Sequence, residues 1–410
     1  MKIIVWNGPT DNSNLGCQAL GISLIAGILK QFPSAEIWST VAGSKIKKRK
    51  IEIDGSQTIE FFEFGASMSR NPIKAGNFKR DRILLRALGP LARSRIINLT
   101  RSADLVVDVS GGDSFTSMYG PARFQSMTVP KQMTLSMGCP LVLAPQTYGP
   151  FQGKDKDVAA NIIKSSASAW GRDLKAAAYL ESIGMEPKWC PDVAFGLPVR
   201  GVTDVIGDRP TIGLNVSGLV WLGSPELLAS RYKIRLDYKR YMESVSRHLL
   251  SMFPKHDLML ISHVQSPDGS YESDPLACLS LKEILNDDRV KVSPRFADCM
   301  DAKHTISKCD LMLGTRMHAC VAGLSRAVPT IGFAYSLKAR PVFETLGVGS
   351  MVVDLRDQTH DQAMASFEKS LEGIDDARVS LVESSRKARE SVSRFFESIS
   401  ELATSRAMSS

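Results

Sequence analysis

The residues with the most chemistry to offer are Gly314-Thr315-Arg316-Met317-His318, which follow the short apolar run Leu311–Leu313. Arg316 carries a planar fork suited to bidentate recognition of a carboxylate or phosphate. Two positions on, His318 can donate to an anion or move a proton near neutral pH. With a strand over Leu311–Leu313 and a helix over Ala319–Leu324, both side chains occupy the turn between them, where the helix amino terminus adds positive potential. The plainer alternative pairs Arg316 with an internal carboxylate and makes His318 a helix cap. On its own this segment supports an anion site with a proton donor.

Polar residues gather after other apolar runs in the same way. Asn7-Gly8 and then Asp11-Asn12-Ser13-Asn14-Leu15-Gly16-Cys17 follow the first run. Ser110-Gly111-Gly112-Asp113-Ser114 follows Leu105–Val109, and Gln146-Thr147-Tyr148-Gly149-Pro150-Phe151 follows Leu141–Ala144. Ser217-Gly218, His263 and Tyr335-Ser336-Leu337-Lys338 hold the equivalent places further along. In open α/β sheets ligands bind outside the carboxyl ends of the strands, so these loops are expected to enclose one cleft. The Asn14/Gly16 loop offers backbone N–H groups to an anion, or is an ordinary cap from Ser13 or Asn14. Gly111-Gly112 permits close backbone approach to a ligand, which is also what a tight turn needs, and Asp113 adds a carboxylate.

Other chemistries lose support. Neither glycine-bearing loop contains Gly-x-Gly-x-x-Gly or a Walker motif, which argues against dinucleotide binding and P-loop hydrolysis. Seven cysteines, at 17, 139, 190, 278, 299, 309 and 320, share no spacing and form no Cys-x-x-Cys pair. That scatter reads as reduced thiols in the cytoplasm and not as a zinc site. No carboxylate or histidine cluster stands at metal-ligand spacing, so neither a metal nor a cofactor is expected.

The elements that must position these residues alternate along the chain, as in parallel strands crossed over by helices. Strands are expected at Lys2–Trp6, Leu105–Val109, Leu141–Ala144, Thr211–Val216, Leu258–Ser262, Leu311–Leu313 and Thr330–Phe333. Several are apolar at consecutive positions, as when helices cover both sheet faces. Leu20, Leu24, Ile25, Ile28 and Leu29 recur at helical spacing, as do Ala176, Tyr179, Leu180 and Ile183, with Gly184 as a stop. A run rich in glycine and proline over Gly196–Pro210 marks a boundary. The expected organisation is an α/β domain over 1–200, a second over 210–360 carrying Arg316 and His318, and a helical segment over 361–410. In that last segment Ala388, Val392, Phe395, Phe396, Ile399 and Leu402 form one apolar stripe. The fold class expected is α/β, with two Rossmann-like domains facing a central cleft.

The net charge of +8 is concentrated. Between Ser67 and Arg101 stand Arg70, Lys74, Lys79, Arg80, Arg82, Arg86, Arg93, Arg95 and Arg101, against one acid, Asp81. Lys45, Lys47, Lys48, Arg49 and Lys50 form a shorter run. Such runs read as solvated surface helix and loop, or as a face for phospholipid, an acidic polymer or a lipid-diphosphate substrate. Without an aromatic platform, nucleic acid is not an expected partner. No apolar run approaches the ~20 residues of a membrane span, and Met1–Trp6 is too short for a signal peptide. The expected location is cytoplasmic, with peripheral contact to the inner membrane face through 67–101.

Taken in order, these loops resemble the polysaccharide pyruvyl transferase family. The resemblance runs through Asn12–Gly16, Gly111-Gly112-Asp113, Pro145–Phe151, Gly171-Arg172-Asp173, Pro191–Phe195, Thr315–Ala319 and Tyr335–Lys338, over about residues 1–350. Cys17 departs from it, standing where the family commonly has an acidic residue. The resemblance implies a fold similar to B-type glycosyltransferases and transfer of pyruvate from phosphoenolpyruvate onto a sugar as a ketal, with release of phosphate. It implies catalytic roles for His318, Arg316 and Asp113. Substrate contacts are then expected from Asn14, Gly16, Gly111, Gly112, Gln146, Thr147, Arg172, His263, Tyr335 and Lys338. For Asp192 a structural role is preferred. The acceptor is a sugar or lipid-linked oligosaccharide. The alternatives are a glycosyltransferase of the same fold using a nucleotide-sugar donor, and a non-catalytic sugar-binding relative.

Overall fold

A computed structural model describes every residue except 42–44, 54–56, 67, 69–75, 201–205, 268–269 and 408–410, with no side chain described beyond 404. Arg70 and Lys74 of the basic segment therefore lie outside the described residues. The chain divides into two compact units. The first comprises Met1–Asn12, Cys17–Pro198 and Glu390–Ser410; the second comprises Ser13–Gly16 and Val199–Arg389.

In the first unit, strands β1 (Lys2–Trp6), β2 (Glu36–Val41), β3 (Ile46–Glu52), β4 (Thr58–Gly65), β5 (Leu105–Asp108), β6 (Leu141–Gln146) and β7 (Ser168–Gly171) form one sheet in the order β3-β4-β2-β1-β5-β6-β7. All pairings are parallel except β3 with β4. Helices α1 (Leu15–Gln31), α2 (Phe78–Leu88), α3 (Arg95–Arg101), α4 (Pro121–Ser136), α5 (Asp155–Ser165) and α6 (Leu174–Ser182) connect them. Every residue of β5 and β6 is buried, as consecutive apolar runs in a doubly covered sheet require. Two polar residues end these strands without exposure, Asp108 on β5 and Gln146 on β6.

The run Lys47–Lys50 is neither helix nor loop, as the charge density had suggested, but most of β3, an antiparallel edge strand. Ile51 faces inward while Lys48 and Lys50 pair with Glu60, and Arg49 with Glu63. Strand alternation is masked when almost every outward and inward position carries a long cation. Such charge on an edge opposes pairing with another chain.

In the second unit β8 (Thr211–Asn215), β9 (Asp257–Leu260), β10 (Val290–Val292), β11 (Leu311–Gly314), β12 (Thr330–Ala334) and β13 (Val352–Asp354) form a parallel sheet in the order β10-β9-β8-β11-β12-β13. Its helices are α7 (Gly218–Trp221), α8 (Pro225–Leu227), α9 (Tyr238–Met252), α10 (Asp274–Leu285), α11 (Cys299–Ser307), α12 (Met317–Leu324), α13 (Ala339–Thr345) and α14 (His360–Glu372). In its core Tyr241 meets Phe333 edge to face at a centroid distance of 5.6 Å, and Phe333 packs at a tilt on Phe367 at 6.1 Å.

The last helix, α15 (Ile374–Ala407), is shared by the two units along its length. Within the second, Ser385 and Arg389 donate to the carbonyls of Leu324 and Ser325. Within the first, Phe395 meets Trp170 edge on, and a β-carbon on Gly27 would fall onto the ring of Phe396. The expected apolar stripe accounts for this: Ala388, Val392, Phe395, Phe396 and Ile399 are buried, and Leu402, near the end of the helix, is half-buried.

Candidate functional site

In the second sheet the chain reverses its winding direction between β8 and β11, and it is at such a switch point that open α/β sheets bind ligands. Asn215 closes β8 with a side chain that is fully buried. Its Oδ1 accepts from the backbone N–H of Arg316 at 2.8 Å, and its Nδ2 donates to the carbonyl of Ile261 at 2.9 Å. One side chain thus ties the ends of β8 and β9 to the turn after β11.

Arg316 occupies the cap position of α12 with extended backbone, so its side chain leaves the helix. Its guanidinium is engaged by Asp274, the first residue of α10, through Nε at 3.2 Å and Nη2 at 2.9 Å. Nη2 also donates to the carbonyl of Glu272. Burial opposes the charge on Arg316, but the Asp274 carboxylate beside it holds the guanidinium above its ordinary value. Asp274 is itself fully buried and saturated. Oδ1 also accepts from Gly218 N, while Oδ2 accepts from the backbone N–H groups of His263 and Val264 and from Asn215 Nδ2. Thr315 is held from the other side by the buried phenol of Tyr238 at 2.7 Å.

His263 is 3% exposed, and among the described residues its Nδ1 has no hydrogen-bond partner. Burial, with His318 and Arg316 nearby, pushes its pKa down to about 3, so it is neutral at physiological pH. The segment after β9 also receives the first loop of the chain. Leu15 N donates to the carbonyl of His263 and Gln265 N to that of Ser13, while Asn14 bridges to Val264. The Asn14 side chain accepts from Gly16 N, as a helix cap does. This lays Gly16 against His318, where a β-carbon would come within 2.6 Å of the imidazole. Asn14, Gly16, His263, Arg316 and His318 are therefore brought together. Tyr335 follows β12, contributes to the electrostatics of Arg316 and meets Tyr232 edge on. Lys338 stands at the start of α13, partly exposed.

In the first unit the switch point lies between β1 and β5. Four consecutive loops are stitched by backbone bonds: Gly111 N to Asn7 O, Thr147 N to Gly112 O, and Arg172 N to Gln146 O. Asn7, Ser110, Gly111 and Gly112 all have positive φ, unusual for the first two. A buried ion pair beneath them holds this shape. Asp108 accepts from Asn7 Nδ2, Ser110 Oγ and Lys131 Nζ, and Lys131 also donates to Ser110 Oγ. Gln146 Nε2 donates to the Asp108 carbonyl.

Arg172 is 1% exposed, with Nη1 3.4 Å from Asp192. Its Nε and Nη2 are buried without partners among the described residues. Gly112 has a positive φ that favours glycine, and a β-carbon there would stand 3.1 Å from Nη1, so the guanidinium would have to give way slightly. Asp192 also caps the turn at Val193, as a structural role requires. Asp113 is partly exposed and accepts from Ser114 Oγ and Tyr119 OH. Gly111, Gly112, Asp113, Gln146, Thr147 and Arg172 thus share one rim.

Asn215, Asp274, Tyr238, Asp108 and Lys131 escaped sequence reading. A polar residue ending an apolar strand was the available signal for Asn215 and Asp108. Nothing local marks Asp274, which is distant in sequence from Arg316. Among the described residues no group of acidic, histidine and cysteine side chains is placed to hold a metal ion, and no helix is long and apolar enough to cross a membrane.

A family model described as polysaccharide pyruvyl transferase matches residues 14–336. The amylovoran biosynthesis protein AmsJ of Erwinia amylovora is 21% identical over 282 residues, 67% of this chain and 66% of that protein. The chain thus aligns with just under two thirds of that relative's length. Among solved structures, a Listeria monocytogenes protein assigned as a UDP-N-acetylglucosamine 2-epimerase has a TM-score of 0.57 at 10% identity, covering 97% of this chain and 95% of that one. An α,α-trehalose 6-phosphate synthase from Burkholderia multivorans has a TM-score of 0.55 at 11% identity, covering 100% and 99%. The fold is similar to that of B-type glycosyltransferases.

Proposed function

The chain belongs to the polysaccharide pyruvyl transferase family, and from that premise we propose that it moves the pyruvyl group of phosphoenolpyruvate onto a sugar of a polysaccharide or its lipid-linked precursor. In this reaction the methylene carbon gains a proton and C2 becomes oxocarbenium-like. Two sugar hydroxyls add to C2 as phosphate departs, one hydroxyl proton balancing the new methyl group and the other the phosphate. No cofactor enters the balance.

The observation that carries this reading is the fixed turn Thr315–His318. Asp274 and Asn215 lock Arg316 and the backbone, so His318 leaves the start of α12 beside the Arg316–Asp274 ion pair and a neutral imidazole, His263. A carboxylate and a phosphate are the kind of ligand such a site stabilises. In this reading His318 transfers the proton or stabilises the departing phosphate, with Lys338 and Tyr335 contributing to donor binding. Arg316, its charge met by Asp274, holds the turn. The acceptor is assigned to the first unit, with Asp113 serving its hydroxyls. The AmsJ relative, named for amylovoran biosynthesis, supports an exopolysaccharide as the polymer.

The test is donor identity. The protein is incubated with phosphoenolpyruvate and a panel of lipid-linked or nitrophenyl sugars, and products are examined for the pyruvyl mass increment together with phosphate release. Turnover with nucleotide sugars and none with phosphoenolpyruvate would replace this reading by glycosyl transfer. Binding of sugars without turnover of either donor would leave a non-catalytic sugar-binding protein.

A further inference from the structure

A cavity of about 700 Å³ opens on the first unit between the end of α2, the Gly89–Pro90 turn, the end of α3 and the carboxyl ends of α4 and α5. Because α4 and α5 lead into the amino ends of β6 and β7, it lies at the opposite end of this sheet from the Gly111–Asp113 rim. Arg82, Arg86 and Arg101 line one side, and Leu85, Met137 and Ile162 are part of the apolar remainder. Among the described residues no carboxylate lines it.

The arginines are arranged at a cost. Burial lowers the pKa of Arg82, and repulsion from Arg86, one helical turn away, adds to the shift. Arg82 Nε is buried with no hydrogen-bond partner among the described residues. Arg101 is fixed by the carbonyls of Ala92 and Gly89. An anion between the guanidiniums would relieve the repulsion. The one acid of the segment, Asp81, is buried and already paired with Arg80.

Elsewhere on α2 and the turn that follows it, the surface is apolar where solvent would favour polarity. Ile83 is 64% exposed, Leu88 49% and Leu91 76%, set among Lys79, Arg86 and Arg93. Exposed aliphatic side chains interleaved with cations suit a helix lying in a membrane interface better than a plain solvated helix. We propose that the cavity receives the phosphate-bearing headgroup of an anionic phospholipid while Ile83, Leu88 and Leu91 enter the bilayer, docking the first unit on the membrane through α2. A free anion would need the arginines but not the exposed aliphatic residues, which is why the bilayer is the occupant. This docking goes beyond the transfer reaction and does not rest on it.

The test is co-sedimentation of the full chain with vesicles of phosphatidylcholine alone or mixed with phosphatidylglycerol, in about 0.1 M salt, where surface electrostatics are partly screened. Binding is expected only to the anionic vesicles. Arg82→Gln/Arg86→Gln and, separately, Ile83→Asp/Leu91→Asp should each weaken it by roughly tenfold or more. Circular dichroism confirms folding; Arg86→Gln and Leu91→Asp alone, both at exposed positions, serve if a double variant fails to fold. Absence of binding, or equal binding to neutral vesicles, would overturn the proposal. So would loss of binding in the arginine variant with none in the aliphatic one, which leaves only diffuse attraction. Thermal stabilisation by inorganic phosphate that the arginine variant loses, with vesicle binding unchanged, would mark a site for a soluble anion instead. None of these measurements uses phosphoenolpyruvate, so the two readings fail independently.

Discussion

Gly16 lies so close to His318 that a β-carbon on it would come within 2.6 Å of the imidazole, although the two stand at opposite ends of the matched sequence. The contact exists because Ser13–Leu15 runs along His263–Gln265, on the strand-end loop beside the Arg316 turn. Gly16 has ordinary helical surroundings, so the imidazole is what alanine would meet there. Gly16→Ala should displace the imidazole and lower turnover at least tenfold, equivalent to about 1.4 kcal/mol in the barrier. Unchanged phosphate release from phosphoenolpyruvate in this variant would separate Gly16 from the chemistry.

His318→Ala should abolish turnover while the thermal midpoint stays close to that of the parent. His318→Gln resolves the two roles, because glutamine keeps a hydrogen-bond donor but cannot transfer a proton. Substantial residual rate in the glutamine variant would assign phosphate stabilisation; loss equal to that of alanine would assign proton transfer. Near-normal activity in both would remove His318 from the site.

Asp274→Ala leaves the Arg316 guanidinium buried without its carboxylate and frees four further N–H donors around it. The expected loss is about 3 to 5 kcal/mol of stability, read by denaturant titration. Arg316→Lys keeps the charge but not the two-nitrogen grip on Oδ1, so it should retain the fold and lose most activity.

Lys131→Met should destabilise the first unit by about 3 kcal/mol or more, since Asp108 would be buried with its cation gone. Adding Asp108→Asn should recover part of that loss. A double variant no better than the single one would show that Asp108 serves through its bonds to Asn7 and Ser110 more than through its charge.

His263 predicts an acid limb in stability. Its pKa is lowered in the folded protein to about 3 from 6.5, so between these values the unfolded chain binds a proton that the folded chain refuses. Stability is then full above pH 6.5 and falls as pH drops, by about 2 kcal/mol at pH 5 for this one group. His263→Gln should flatten the unfolding free energy between pH 7 and pH 5 relative to the parent. Parallel curves would show that His263 titrates normally.

The strands at Lys2–Trp6, Leu105–Asp108, Leu141–Gln146 and Leu311–Gly314 were legible because a sheet covered on both faces demands consecutive apolar residues. The strand Ile46–Glu52 was not, since its lysines obey the needs of a sheet edge and hide the period. The polar loops were legible for a related reason: parallel strands must release the chain at their carboxyl ends, and polar residues there interrupt apolar runs visibly.

By itself, then, the sequence determined two parallel α/β units, the order of their strand-end loops and the family to which they belong. What only the tertiary structure decided is which charges remain available. Arg316 reads as a free fork in the sequence, yet Asp274 reaches it from the start of α10. Arg172 pairs weakly with Asp192 and keeps two buried nitrogens without partners among the described residues. Local pattern fixes where a side chain leaves the backbone. Its partner is set by which strands lie side by side, and pairing across a parallel sheet joins residues that no spacing in the chain connects.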